Sequence, residues 1–522
     1  MTTATTPYRS GLRAGHDGFA QLLRAEWTKF RTVRGWVIGL VAAALVIVLL
    51  GLLSAAGSHT SCGGPSDVCP AVPVGPDGEA VEDKFYFVHR PLAGDGGITV
   101  RVTSMTGQMR LPDATPGVRR VESGLVPWAK AGLMIKESTK QGSVYAAVMV
   151  TGSHGVRMQH NFTHDVAGGS DGVSKDSPRW LRLTRSGDTI TGYESADGKT
   201  WTQVGTADLA GLPATVQIGL FAASPGALTV TQADLGGSIT AERFAEATAT
   251  FDQVGLQGGA PGGGWKHDDI GATLEPDGTV HHPGGAAQSG GTFTVTGVGD
   301  IAPRADGQTI ENTLSGMLAG LIVVIVVAVL FITTEYRRGL IRTSLLASPR
   351  RGRVLAAKAV VIATVTFAAG LAAAGVAVRV GTQILRANGN MVLPVAPLTE
   401  LRVVVGVAAL LAVAAVFALA LGALFRRSAA ATTAAIALIV LPHILATASV
   451  LPVGAAQWLL RLTPAAGFAI QQSIPEYPQV LGNYAPQAGY YPLAPWGGLA
   501  VFCGYAALAL GLAVFQLRRR DA

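Results

Sequence analysis

Six runs of roughly twenty apolar residues set the limits on this chain, at about 36–56, 314–334, 354–378, 401–425, 429–452 and 495–517. A helix rises about 1.5 Å per residue, so crossing ~30 Å of hydrocarbon takes about 20 such residues, and each run is long enough. Composition points the same way: 49% of the 522 residues are hydrophobic and only 14% charged, too apolar for a soluble enzyme. The first run exceeds the core of a cleavable leader, which spans about 7–15 residues, and is expected to stay as an anchor. Ser54, Ala55 and Ala56 leave cleavage as the alternative.

Lys and Arg gather at the span ends that face the cytoplasm, which orients the chain. Arg9, Arg13, Arg24, Lys29, Arg31 and Arg34 precede the first span. Arg337, Arg338, Arg342, Arg350, Arg351, Arg353 and Lys358 lie between the second and third, Arg426 and Arg427 between the fourth and fifth, and Arg518, Arg519 and Arg520 after the last. The expected topology is a multi-pass cell-membrane protein with both termini cytoplasmic (leader 1–35, tail 518–522) and residues 57–310 extracytoplasmic. That outer segment carries more acidic than basic residues, so the net charge of +7 reports the inner face and not a nucleic-acid footprint.

Within 19–33, Phe19, Leu22, Leu23, Trp27, Phe30 and Val33 recur at helical spacing among basic residues. This predicts an amphipathic helix on the inner leaflet, with Trp27, Lys29, Phe30 and Arg31 at the lipid headgroups. From about 80 to 305 the pattern changes to short alternating runs broken by Gly, Asp and Pro. Examples are Ile98–Val102, Tyr145–Val150 and Trp180–Arg185; the last is followed by Ser186-Gly187-Asp188 and then Thr189–Glu194. The expected fold is therefore six transmembrane helices plus an extracytoplasmic all-β, jelly-roll-like sandwich between helices 1 and 2, with 250–305 as a looser part. Trp180 and Trp201 are assigned to its core. Cys62 and Cys69 are candidates for a disulfide outside the first span, although their spacing leaves the geometry open.

Several motifs resolve into structural readings. Gly198-Lys199-Thr200 ends like a phosphate loop, but five residues separate Gly192 from Gly198 where the motif has four, and a strand follows instead of a helix. A β-turn is expected. His160, His164 and Asp165 are metal-ligand types, but at this spacing in a strand and loop they read as surface groups, so no metal site is expected. His443, next to Pro442 in the fifth span, is the one ionisable side chain placed within hydrocarbon. No catalytic set is evident.

The string Glu335-Tyr336-Arg337-Arg338-Gly339-Leu340-Ile341-Arg342-Thr343, followed by Ser348-Pro349-Arg350-Arg351 and Lys358, resembles the first intracellular loop of type-2 ATP-binding-cassette (ABC) permeases. The leader Ala25–Arg34 is similar to the entry helix of that family. The resemblance covers about 20–56 and 314–517, and departs where some 250 residues replace a short outer loop. It implies a permease subunit, an exporter without its own cofactor, paired with a second permease copy and with a cytoplasmic ABC ATPase that binds ATP and magnesium. In that reading the loop 335–353 transmits the work of the ATPase, through Glu335, Arg337, Arg338 and Arg342. The outer insert resembles concanavalin-A-like, laminin-G-type domains through Phe85-Tyr86-Phe87, Gly94-Asp95-Gly96 and Ala131–Lys136, which implies a glycan or other ligand. The competing reading is a membrane-anchored glycan-binding or sensor protein, which does not explain six spans.

Overall fold

The computed structural model describes residues 18–60, 71–110, 120–174, 176–232, 238–259, 263–274, 280–339 and 351–519. Cys62, Cys69 and Arg342 lie outside them. The helices are α1 (Phe19–Thr32), α2 (Arg34–Gly57), α3 (Met317–Arg337), α4 (Arg351–Ala387), α5 (Pro397–Phe425), α6 (Ser428–Thr447), α7 (Val453–Leu462) and α8 (Pro495–Arg519). Among the described residues six of them, all but α1 and α7, are long and apolar enough to cross a membrane. At 21 residues α3 measures about 31 Å, whereas α4, with 37, reaches about 55 Å and must project beyond a hydrocarbon layer.

α5 is the central helix. It packs against α3, α4, α6 and α8, and its buried side chains surround its axis, among them Val403, Val407, Leu411, Ala415 and Leu419. Small residues permit this closeness: a Cβ on Gly422 would meet Ile332 Cγ2, and one on Gly370 would meet Leu411 Cδ1 at 2.9 Å. The periphery stays apolar, with Ile38, Leu45 and Leu53 of α2 and Leu508, Leu512 and Phe515 of α8 exposed. Exposed Trp27 stands at one end of the helices; Trp458 and Trp496 are exposed on α7 and at the start of α8.

Between α2 and α3 the chain forms a β-rich domain built on one antiparallel sheet. Its main path runs through 202–208, 189–195, 179–186, 85–110, 215–223, 130–136, 145–151, 156–160 and 164–167. The first strand of this path comes back beside the last two, so the sheet is nearly closed. Its inner face buries Ile98, Val100, Leu133, Val148, Leu181, Leu183 and Leu220. The other face buries Phe85, Phe87, Tyr145, Phe162 and Phe221. Residues 245–259 pair along the length of 93–109, so 250–305 begins as part of the same sheet.

The chain enters and leaves this domain through a short ribbon, Val81–Asp83 paired with Ile301–Pro303. Two buried lysines fasten that ribbon to strand 130–136. Lys136 Nζ donates to Asp83 Oδ2 at 2.7 Å, and Lys130 Nζ donates to Asp300 Oδ1 at 2.5 Å and to the Ile301 carbonyl at 2.9 Å. Domain and helices are joined where Gln479 Nε2 donates to the carbonyls of Phe162 and Thr163, and where Gln308 exchanges backbone hydrogen bonds with Met391 and Leu393.

One core assignment needs correction. Trp180 and Trp201 are half-buried on the outer side of the sheet, with Arg101 over the first ring and Arg182 over the second. The alternation of 179–186 is as expected, but Leu181 and Leu183 take the core phase and Trp180 falls on the opposite face with Arg182 and Thr184.

Candidate functional site

Val33 separates α1 from α2 in an extended conformation, φ −89° and ψ 93°, and this bend lets α1 fold back along the helix ends. The face that α1 turns inward runs through Leu22 and Leu23, Glu26, and Lys29 and Phe30. It is therefore not wholly apolar. Glu26 is only 2% exposed and Phe30 equally so, while Trp27 and Arg31 face outward and Lys29 is half-buried.

Glu26 meets two other buried ionic side chains. Lys358, from the first turns of α4 and 0% exposed, donates to Glu26 Oε2 at 2.6 Å and to Glu335 Oε1, in the last turn of α3, also at 2.6 Å. Lys29 Nζ donates to Glu26 Oε1 at 2.8 Å and to Glu335 Oε1 at 3.3 Å. Two ammonium and two carboxylate groups thus balance in charge, the condition under which such groups tolerate burial. Burial lowers the affinity of Lys29 for its proton, but the hydrogen bond to Glu26 and the charges of Glu26 and Glu335 outweigh it, so its pKa rises.

An aromatic group closes the cluster. Phe331 lies one turn before Glu335, and Lys358 Nζ stands 4.8 Å from its ring centroid. Phe30 and Trp36 meet the same ring edge to face at 5.8 and 4.9 Å. Glu335 Oε2 is buried without a hydrogen-bond partner among the described residues. The arrangement holds three helices in register.

The sequence-derived candidates therefore separate. Glu335 and Lys29 come together in the cluster, with Phe30 beside it; Arg337 and Arg338 are exposed where α3 ends; Trp27 and Arg31 are exposed on α1. Sequence reasoning overlooked Glu26 as a partner, although its place four residues before Phe30 on one helix face was the available signal. Two arginines at this end have structural roles. Arg426, at a left-handed φ of +58°, sits over the Tyr336 ring, and Arg351 donates to the Leu517 carbonyl near the end of α8.

Gly198-Lys199-Thr200 is a turn in which Asp197 Oδ1 accepts the N–H groups of Lys199 and Thr200. His160 and His164 stack at 4.3 Å, and burial, aided by His164, lowers the pKa of His160 to about 4. Among the described residues no group of His, Cys, Asp and Glu could hold a metal ion. Cys503 is free and exposed on α8.

No family model matches the chain, and no curated protein does. Solved structures resemble part of it. A functionally unknown protein from Saccharomyces cerevisiae shares 14% identity at a TM-score of 0.23, covering 40% of this chain and 99% of that one. Scytalido-glutamic peptidase, solved with a transition state analog inhibitor, shares 8% identity at a TM-score of 0.26, covering 41% of this chain and 98% of that one. SCP-B, a member of the eqolisin family of peptidases in a complex with the tripeptide Ala-Ile-His, shares 7% at 0.23, covering 41% and 98%.

Proposed function

We propose that this chain is the membrane-spanning permease subunit of an ABC-type exporter, driven by a separate cytoplasmic ATPase. The supporting observation is the four-residue ionic cluster. It ties α1 to the two helix ends, at Glu335 and Lys358, that flank the arginine-rich segment 337–353. A push on that segment would move α1, α3 and α4 together, because parting them would strand charges in a buried place. The segment itself offers exposed Arg337 and Arg338 for docking.

In this reading the end bearing the cluster is cytoplasmic and the β-rich domain extracytoplasmic. Trp27 and the basic residues of α1 meet the inner headgroups, and Trp458 and Trp496 meet the outer ones. The exposed apolar faces of the spans face lipid and a second permease copy. The outer domain, with Trp180 and Trp201 on its surface, is a sandwich-like module for a glycan or another ligand.

A photo-crosslinking residue at position 338, activated in intact membranes, tests the docking. Capture of an ABC ATPase is expected. Capture of a signalling protein in its place would favour the sensor reading.

A further inference from the structure

A second site lies at the other end of the helices, where the β-rich domain joins them. A cavity of about 560 Å³ is walled by the ends of α2, α3 and α4, by α6, and by the 3-10 turns of Pro464–Gln471. This is an ordinary size for a small-molecule site. Part of its wall is apolar, including Leu314, Leu318 and Leu385. Two polar side chains stand on that wall: Glu311, with no ion-pair partner among the described residues, and His443, whose Nδ1 has no hydrogen-bond partner.

Glu311 accepts from the Ser473 backbone N–H at 3.0 Å and from the Ser473 hydroxyl at 2.5 Å. Among the described residues no Lys, Arg or His lies within ion-pair distance of it. The guanidinium of Arg402 is directed instead to the Gln472 carbonyl, at 2.8 Å. Burial pushes the Glu311 carboxyl up, against the lowering effect of the Ser473 hydrogen bonds. The Thr309 side chain and the Glu311 backbone N–H lower it as well, and none of these hydrogen-bonding groups carries a positive charge.

His443 stacks on Phe468 at 4.0 Å with ring planes 13° apart, and lies nearly parallel to Tyr491 at 6.4 Å. Its Nδ1 is buried without a hydrogen-bond partner. In the tautomer protonated at Nε2, that nitrogen accepts a hydrogen bond. The cavity therefore offers a carboxylate and a neutral nitrogen acceptor next to apolar walls; among the described residues no cation stands within ion-pair distance of the carboxylate, on which the charge of Arg402 acts from farther away.

We propose that this cavity binds an amphiphilic amine, its ammonium group donating to Glu311 and His443 and its hydrocarbon lying along Leu314, Leu318 and Leu385. An ammonium supplies three donors and the missing positive charge. A fatty acid would place like charges together, and an alcohol would leave the carboxylate unpaired. The assignment does not depend on the exporter reading, since binding requires no ATPase.

The test uses the full chain in lipid nanodiscs and dodecylamine carrying a diazirine in its chain. Crosslinks are expected in peptides containing Leu314, Leu318 and Leu385, which line the path of the chain. Unlabelled dodecylamine should compete at roughly tenfold lower concentration than dodecanoic acid or dodecanol, the discrimination of a single charge-assisted hydrogen bond. Glu311→Gln should lose about tenfold in amine competition and leave dodecanol competition unchanged. The wild-type competition series stands even if that variant fails to fold. Equal competition by amine and acid would overturn the proposal, as would labelling confined to the outward faces of α2 and α8.

Discussion

Lys358 carries the most consequence of any single side chain in the helical part. Replacing it with Ala leaves the buried Glu26 and Glu335 with only the half-buried Lys29 between them, and stability should fall by about 3–5 kcal/mol. Thermal unfolding in detergent checks this, and Glu26→Ala added to Lys358→Ala should recover part of the loss. Glu82, in the ribbon of the β-rich domain, supplies a pH test. Burial, with the charge of Asp300 adding to it and Arg304 opposing it, raises its pKa from 4.5 to about 7. The folded state then holds a proton that the unfolded state releases above about pH 4.5. Stability is full below that pH and falls by roughly 2–3 kcal/mol as pH rises through 7. Unfolding between pH 5 and 8 should show this fall in the wild type and a smaller one in Glu82→Gln. Glu335 could be singled out from its motif, whereas Glu26 carried only its place on the same helix face as Phe30, a weak signal because a charge within an amphipathic stripe looks in sequence like a solvated one.

Among elements, the apolar runs were legible because hydrophobic length alone determines whether a helix can span, and the strands because their side chains alternate. Phase and partner were less legible. The alternation around Trp180 and Trp201 suggests core positions but does not set the phase: Leu181 and Leu183 occupy the inner face, and Arg101 and Arg182 cover the displaced rings. The bend at Val33 had no marker such as proline or glycine, so the docking of α1 onto α3 and α4 emerges only in three dimensions. That docking predicts unequal environments for two tryptophans: in single-tryptophan variants, brominated lipid should quench Trp27, which is 46% exposed, more strongly than Trp36, packed against Phe331. In the β-rich domain, Lys136→Met strands Asp83 in the core and should cost about 3–5 kcal/mol, read from chemical denaturation.

At the scale of the whole molecule, two clusters of ionisable groups occupy opposite ends of one helical assembly. One balances two ammonium groups against two carboxylates; the other, at Glu311 and His443, lines a cavity. Composition and basic flanks made the division into a spanning part and an inserted β-rich part readable. The cavity was not readable, because its wall is assembled from six separated stretches of chain and Glu311 sits in an unremarkable 3-10 turn. In the exporter reading, the cluster at Glu335 and Lys358 passes the work of an ATPase to the helices. This is tested most directly by purifying the tagged chain from mild-detergent membranes, identifying its partners by mass spectrometry, and measuring ATP hydrolysis of the complex with wild-type and Glu335→Gln chains. A stoichiometric ABC ATPase is expected in both preparations, with hydrolysis at least tenfold lower in the variant, about 1.4 kcal/mol or more of lost coupling. Preparations without an ATPase, or equal hydrolysis in the two complexes, would contradict it.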